Sequence, residues 1–265
     1  MKNLDSDLFF IPPSRTTETM SRPVSISPKM LLALVRLQDG LNQFIDVEWR
    51  KKRSPDDWGL AITMEAAELI DSYPWKWWKK QGSRANMENV KVELVDILHF
   101  SLSGAMQLEG LSHLPTTALG DVDEHVTLPL TDTTNAVRTF RAVMYLAKAH
   151  RFDTITQMVI AAAKDLDFDL VGYYVAKHTL NYIRQLGGYK EGRYIKVRQG
   201  VEDNELLHAC VVQESSSGGG SGDDDAMCFH AMWDKVMANV YEAFSVRVED
   251  RRNTSHWVAK RDREP

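Results

Sequence analysis

The stretch "TMEAAELIDSYPWKWWKKQGSRANMENVKVELVDILHF" (residues 63–100) carries two acidic motifs in largely apolar surroundings. The first is E-A-A-E, with Glu65 and Glu68, and the second is E-L-V-D, with Glu93 and Asp96. Residues three apart lie on one face of a helix, so each motif projects two carboxylates to the same side. The spacing therefore predicts two helices, each with an acidic stripe.

The spacing of the two motifs is suited to an antiparallel pair of helices. In an antiparallel helix pair that turns near residues 80–81, Glu65 would lie opposite Asp96 and Glu68 opposite Glu93. A proline and a glycine fall between the motifs, where such a turn is needed. The pattern predicts a helical hairpin that brings all four carboxylates to one level.

The rest of the chain has a helical rather than a strand pattern. Ser27 followed by Pro28 is typical of a helix N-terminus. We predict helices over about 28–52, 56–72, 84–108, 133–150, 153–164, 167–186 and 227–248. No segment shows a convincing alternation of apolar and polar residues. The predicted fold is all-α, with several packed helices.

Composition divides the chain into one domain and its flanking segments. Residues 1–27 are rich in Ser, Thr and Pro, lack the pattern of a secretory signal and are predicted to form a flexible leader. One all-α domain is predicted over 28–250, with loop insertions at 109–132 and 213–226. The second insertion contains the low-complexity run "SSSGGGSGDDDA". Residues 251–265 form a charged tail.

Charge and cysteine content exclude several classes of protein. The net charge of −5 argues against a nucleic-acid binder, because phosphate-binding surfaces are usually basic. No apolar run reaches about 18 residues, so no membrane span is predicted. Cys210 and Cys228 are the only two thiols, which fits a reducing compartment. The chain is predicted to be intracellular, in the nucleus or the cytoplasm.

The apolar setting of the acidic motifs indicates a metal site. The helix predicted over 84–108 is apolar on most faces and is therefore expected to be buried. Buried carboxylates without a partner are costly, and four at one level would repel each other. A divalent cation would neutralise them, and an all-oxygen ligand set favours Mg²⁺ or Mn²⁺.

Two other interpretations of the motifs are less well supported. Exposed acids would need basic partners one turn away, but Glu65 has only Ala61 and Leu69 there. A di-iron bundle would need two E-x-x-H motifs, and the chain has one, Glu205–His208, outside the hairpin.

The segment "GYYVAKHTLNYIRQLGGYKEGRYIK" (residues 172–196) groups cations and hydroxyls. Lys177, Asn181 and Arg184 share one helical face, a set that suits a polyphosphate opposite a metal site. A solvated basic face is the alternative. Gln38 and Asn42, one turn apart, could contact a pyrimidine edge or form a surface amide pair.

These motifs together resemble the dimeric dUTPases of the trypanosomatid and Campylobacter type, within the all-α nucleotide pyrophosphatase superfamily. The resemblance covers roughly residues 28–208, and the kinetoplastid members are the nearest. It is carried by Q-x-x-L-N (38–42), the two acidic motifs, "PWKWWK", the "GYYVAKHTLNYIRQLGGYK" segment and "GVEDNELL". The insertions at 109–132 and 213–226 have no counterpart in that pattern.

The resemblance implies roles for individual residues. The metal ligands of the family correspond to Glu65, Glu68, Glu93 and Asp96, holding two or three Mg²⁺ ions that Mn²⁺ can replace. Glu65 would take the proton of the attacking water, whose pKa the metals lower. The implied substrate contacts are Gln38, Asn42 and Trp77 for uracil, Asp96 and Phe100 for the deoxyribose, Lys177, Asn181, Arg184, Lys190 and Tyr194 for the phosphates, and Asn204 elsewhere on the substrate.

The implied reaction is hydrolysis of dUTP to dUMP and pyrophosphate, with dUDP as a further substrate. Such an enzyme controls the dUTP level and supplies dUMP for thymidylate synthesis. The family forms homodimers with active sites near the subunit interface, and substrate closes a mobile helical part over a rigid one. The alternatives are a pyrophosphatase of another nucleotide, such as dCTP, and a non-catalytic helical interaction protein.

Overall fold

The computed structural model describes residues 26–79, 84–109, 125–198, 201–205, 207, 211, 237, 238 and 240. Several predicted segments fall largely or wholly outside the described residues. They are the leader, most of the 109–132 insertion, the 213–226 insertion, most of the helix at 227–248 and the charged tail.

The described part of the chain is almost entirely helical. Its elements are α1 (Pro28–Ile45), α2 (Trp49–Lys52), α3 (Pro55–Asp71), α4 (Met87–Glu109), α5 (Thr133–Lys148), α6 (Phe152–Asp165), α7 (Leu170–Leu186), β1 (Val197–Arg198) and β2 (Val201–Glu202). The two short strands pair antiparallel and form a small hairpin after α7. The all-α prediction is confirmed, with this hairpin as its one addition among the described residues.

The prediction of a single helix over 28–52 is wrong, because α1 ends at Ile45. Asp46 has an extended backbone, and its carboxylate accepts a hydrogen bond of 3.0 Å from the Glu48 N–H. The same carboxylate accepts from Lys52 at 2.9 Å. An Asp side chain that bonds to nearby backbone competes with helix continuation. The chain therefore turns before α2 begins.

A capping box fixes the start of α3. Ser54 Oγ accepts a hydrogen bond from the Asp57 N–H, and Asp57 returns one by accepting from the Ser54 N–H at 2.7 Å. Pro55 occupies the first helical position, where its missing N–H costs nothing. The strong signal explains why the predicted and observed starts of this helix agree.

Helices α3 and α4 form the antiparallel hairpin that the sequence predicts. Near the start of α3, Trp58 Nε1 donates to the side-chain oxygen of Gln107, near the end of α4. At the opposite end, the Asn89 amide donates to Ser72 Oγ at 2.8 Å. The prediction of antiparallel packing is thus confirmed, and the acidic motifs lie between these two contacts.

Helix α4 is the centre of the core and packs against α1, α3, α6 and α7. Its fully buried side chains include Leu94, Ile97, Leu98 and Leu102. Each such side chain contributes about 1.5–3 kcal/mol through its removal from water. None of the helices in the described ranges is long and apolar enough to cross a membrane.

Candidate active site

Three carboxylates converge where α3 faces α4. Glu65 of α3 and Glu93 and Asp96 of α4 each place one oxygen within 4.8 Å of the others. Glu93 is only 5% exposed. Glu68 lines the same cavity but is not part of this cluster. The predicted convergence of four carboxylates is therefore reproduced for three, with the fourth one turn further along α3.

Burial makes two of these carboxyl groups hard to ionise. Burial, with the charge of Asp96 as the second cause, raises the pKa of Glu65 to about 7 and that of Glu93 to about 8. A cluster of oxygen ligands that is partly buried, closely spaced and short of positive charge fits a hard divalent cation. Such a cation would supply the charge that these groups lack.

The nearest cation to the cluster is Lys177 of α7. Its Nζ donates to Asp96 Oδ2 at 2.6 Å and to Asn204 Oδ1 at 3.0 Å. The lysine is only 3% exposed, so this ammonium is held inside the protein rather than in solvent. The side chain predicted to bind phosphate thus neutralises one of the three clustered carboxylates.

Arg184, also predicted to contact phosphate, is engaged with Asp203 through two hydrogen bonds of 2.9 and 2.7 Å. It also donates to Asn204 at 3.1 Å and to Asn181 Oδ1 at 3.4 Å. Fork-like pairs of this kind fix both partners in one geometry. The segment at 201–205 is therefore clamped to α7, which brings Asn204 to the cavity wall.

A second polar group lies on α1. Gln38 Nε2 donates to Asn42 Oδ1 at 3.0 Å, and both side chains are buried and line the cavity. The surface amide pair considered as an alternative is therefore excluded. The Tyr174 hydroxyl reaches Gln38 Oε1 at 2.9 Å from α7. The two amides are held by other side chains and face the cavity from inside the fold.

His99 lies beside these amides and was not selected from the sequence. Its ring stacks on Tyr174 with centroids 4.2 Å apart, and its Nδ1 bonds to the Val95 carbonyl oxygen at 2.8 Å. Since a carbonyl only accepts, Nδ1 carries the proton and Nε2 is an acceptor. No group among the described residues bonds to Nε2. Burial lowers the pKa of His99 to about 4, so the ring is neutral at neutral pH.

One cavity of about 550 Å³ joins these groups. The predicted site residues that line it are Gln38, Asn42, Glu65, Glu68, Glu93, Asp96, Phe100, Lys177, Asn181, Arg184 and Asn204. The ring of Phe100 lies against Trp58, with centroids 6.3 Å apart, and Trp58 meets Trp49 edge-on at 5.8 Å. Both tryptophans also line the cavity and were missed, because an isolated Trp carries no motif.

Three predicted contacts lie outside the cavity wall. Trp77 is 81% exposed and contacts Trp78 with centroids 5.5 Å apart. Lys190 is exposed and donates to the Ile45 carbonyl oxygen at 3.4 Å. Tyr194 is half-buried, and its ring is 6.2 Å from that of Tyr189. Within the described chain, these side chains are not brought together with the carboxylates.

Comparison with known protein families identifies the family of this chain. A family model described as dUTPase matches residues 30–189, a segment that contains all the clustered carboxylates and both amides. A comparison with curated proteins gave no match. The match covers more than half of the chain, so this protein belongs to the all-α dUTPase family, whose activity is that of a dUTP diphosphatase.

Proposed function

We propose that the chain hydrolyses dUTP to dUMP and pyrophosphate in this cavity. The observation that carries the proposal is the arrangement of three carboxylates, one buried and two half-buried, at one part of the cavity and a neutral polar group of Gln38, Asn42 and His99 at another. A nucleotide has the same division, with an anionic phosphate chain at one end and a neutral base at the other. The cavity volume of about 550 Å³ is in the range of small-molecule sites.

Glu65, Glu93 and Asp96, with Glu68 beside them, would hold divalent cations, and we propose Mg²⁺. When bound, such ions supply positive charge for the phosphate chain and lower the pKa of a water molecule. Glu65 would accept the proton of the attacking water. Its position in the carboxylate cluster, where such an ion would hold the water, supports this role.

The cations of the protein would orient the phosphates. Lys177 lies at Asp96 and is therefore at the boundary between the carboxylates and the rest of the cavity. Asn181 and Asn204 line the same wall and can donate through their amides. Arg184 would act by holding Asn204 in place, because its guanidinium is already paired with Asp203.

At the other end, the acceptor Nε2 of His99 suits the N3–H of uracil. Cytosine has no hydrogen at N3, so a neutral histidine in this tautomer favours uracil over cytosine. Phe100, backed by Trp58, would lie under the sugar and exclude a ribose 2′-hydroxyl. These contacts support dUTP over dCTP and UTP.

The same chemistry extends to dUDP, whose hydrolysis would release phosphate. We further propose a homodimer, in which Trp77, Lys190 and Tyr194 act as substrate contacts once the subunits and the substrate come together. In the cell, the activity would limit dUTP and supply dUMP for thymidylate synthesis.

The decisive test is one assay with the full chain. Protein freed of metal with EDTA is mixed with Mg²⁺ and with dUTP, dUDP, dCTP, dTTP or UTP, and pyrophosphate or phosphate release is measured. We expect Mg²⁺-dependent pyrophosphate release from dUTP and phosphate release from dUDP, with much slower reactions of the others. A preference for dCTP would replace uracil by cytosine as the substrate base. Absence of any hydrolysis would indicate a non-catalytic protein.

A further inference from the structure

Four side chains at the base end form one continuous chain of hydrogen bonds. It begins at the main-chain carbonyl of His99, which accepts from the Ser103 hydroxyl at 2.8 Å. Ser103 Oγ in turn accepts from Asn42 Nδ2 at 2.9 Å, and Asn42 Oδ1 accepts from Gln38 at 3.0 Å. The last member of this chain of hydrogen bonds is the Tyr174 hydroxyl, which donates to Gln38 Oε1.

The order of donors and acceptors in this chain is fixed by its first member. A carbonyl oxygen can only accept, so the single hydrogen of Ser103 is used there and Oγ must accept from the next residue. Asn42 must therefore turn its NH₂ toward Ser103 and its oxygen toward Gln38. By the same logic, Gln38 turns its NH₂ toward Asn42 and its oxygen toward Tyr174.

The far end of the chain is consistent with this direction. The Tyr174 hydroxyl lies 2.9 Å from Gln38 Oε1 and 3.1 Å from the Leu34 carbonyl oxygen. Both neighbours are acceptors, and the single hydroxyl hydrogen is donated to one of them at a time. Main-chain carbonyls thus lie at both ends of this chain of hydrogen bonds, and one orientation of each amide gives every donor an acceptor.

Burial makes the alternative orientations costly. Ser103 and Tyr174 are fully buried, and Gln38 and Asn42 are nearly so. If one amide turned over, two oxygens or two NH₂ groups would face each other with little water to separate them. An unsatisfied buried polar group costs about 1–3 kcal/mol, so each amide is held in one orientation.

The orientation matters because an amide that turns over exchanges a donor for an acceptor at almost the same position. Uracil presents N3–H as a donor and O4 as an acceptor, whereas cytosine presents N3 as an acceptor and its 4-amino group as a donor. We infer that Ser103 and Tyr174 are positioning residues, which hold Gln38 and Asn42 in the orientation that selects one pyrimidine. The inference rests on the proposed contact between these amides and the base.

The protein offers a matched control for a substitution of Ser103 and for one of Tyr174. Ser103→Ala removes the hydroxyl that sets the direction, and Ser101→Ala removes an equally buried hydroxyl that faces Thr156 instead. Tyr174→Phe removes the donor to Gln38. Its control is Tyr173→Phe, which removes a neighbouring hydroxyl that bonds to Glu88 at 3.2 Å.

The measurement is the ratio of kcat/KM for dUTP to kcat/KM for dCTP in the full-length protein with Mg²⁺. We expect Ser103→Ala and Tyr174→Phe each to lower this ratio by about tenfold, which corresponds to about 1.4 kcal/mol. The change should fall on KM rather than on kcat, because the carboxylates are untouched. Calorimetric binding of dUMP and dCMP should lose the same selectivity without any chemical step. Ser103→Thr, which keeps the hydroxyl, should restore the ratio where it folds.

Several outcomes would overturn the inference. A ratio within about twofold of the wild type, in either folded variant, would show that the hydrogen-bond chain does not set base selectivity. An equal loss in the Ser101 or Tyr173 control would assign the effect to packing. If Ser103→Ala does not fold, Tyr174→Phe decides. A wild type that prefers dCTP would correct the proposed substrate alone, and the same variants should then relax that preference.

Discussion

The cavity contains two polar groups, which differ in how their polar atoms are stabilised. The acidic group consists of Glu65, Glu93 and Asp96, and the amide group consists of Gln38 and Asn42. At the acidic group, half-buried Glu65 and buried Glu93 lie beside another carboxylate, and their pKa values rise to about 7 and 8. At the amide group, the side-chain NH₂ groups of Gln38 and Asn42 each donate to an acceptor, and their side-chain oxygens each accept from a donor. The first group is therefore poised to bind a cation, and the second is rigid before any ligand arrives.

The largest effect is expected from Glu93→Gln. The substitution keeps the volume and removes a charge from the centre of the carboxylate cluster, so kcat/KM for dUTP should fall by about 10³-fold, which corresponds to about 4 kcal/mol. The measurement is Mg²⁺-dependent pyrophosphate release. Asp71→Asn, which removes an exposed carboxylate paired with Lys76, is the matched control and should stay near wild type. Activity of Glu93→Gln within about tenfold of wild type would remove this residue from the metal site.

Glu68→Gln sharpens the same comparison, because Glu68 lines the cavity outside the cluster of three. As one of the proposed metal ligands, it should still be essential, and we expect nearly complete loss of activity without unfolding. The circular dichroism spectrum and Tm should match those of the wild type. Turnover within about tenfold of wild type at saturating Mg²⁺ would restrict the metal site to the three clustered carboxylates.

The stability of metal-free protein should fall as the pH rises above about 6.5. Below that pH, the lowered pKa of buried His99 acts in the opposite direction, because the unfolded chain then binds a proton that the folded protein does not. The folded-state pKa values of Glu65 and Glu93 lie above the ordinary glutamate value of about 4.3, so at these two groups the folded protein binds more protons than the unfolded chain between about pH 4.5 and pH 8. The stability that these protons provide is present at low pH and is lost through this window. Added Mg²⁺ should therefore raise the Tm more at pH 8 than at pH 6.

Thermal melts in EDTA from pH 6.5 to pH 8 check this, with Glu93→Gln as the reference that should show a weaker pH dependence. We expect a shift of several degrees for the wild type, since about 1 kcal/mol moves the Tm of a domain this size by about 2–4 °C. A Tm in EDTA that rises steadily between pH 6.5 and pH 8 would contradict the assignment of raised pKa values to these two groups.

Phe100→Ala tests the region between the two groups. Loss of the ring should relax discrimination between dUTP and UTP by about tenfold, because the 2′-hydroxyl would then fit beside Trp58. If Phe100 serves the core alone, the variant should lose about 3–5 kcal/mol of stability and keep its selectivity. Relative rates on the two nucleotides, measured together with the Tm of the variant, separate these outcomes.

The smallest effect is expected from replacing residues 213–226 with a short Gly/Ser linker. This stretch contains almost no apolar side chain, and closure entropy changes only slowly with loop length. The value of kcat/KM for dUTP should stay within a few-fold of wild type. A folded variant that needs much more Mg²⁺ for half-maximal activity would show that Asp223, Asp224 and Asp225 contribute to cation binding.

Much of the acidic group follows from the sequence, because its residues lie on one hairpin with local signals. The spacing of Glu65, Glu93 and Asp96 and the capping box at Ser54 are features of short segments. The amide group draws on α1, α4 and α7, which are far apart in the chain, so its tertiary contacts have no local signature. Ser103 could have been identified from the sequence, because it follows His99 by four residues on the polar stripe of α4 that carries Glu93.

The sequence also overestimated the length of the first helix and gave no sign of the internal partner of Arg184. Periodicity cannot detect that a single Asp46 side chain bonds to the next turn and ends α1. Likewise, the helical face shared by Lys177 and Arg184 predicts a common target, but Arg184 has an internal partner in Asp203. The identity of a partner across the fold decides whether a buried cation is available to a ligand.

The ion pair between Lys177 and Asp96 makes cation binding an exchange reaction. A divalent ion that took Asp96 as a ligand would compete with the ammonium for this carboxylate, so loss of the ion pair would weaken its binding. The displaced ammonium is buried and needs a new anion, which a triphosphate chain provides. We therefore expect free Mg²⁺ to bind more weakly than Mg²⁺ that arrives with a nucleotide, and the two ligands to show positive linkage.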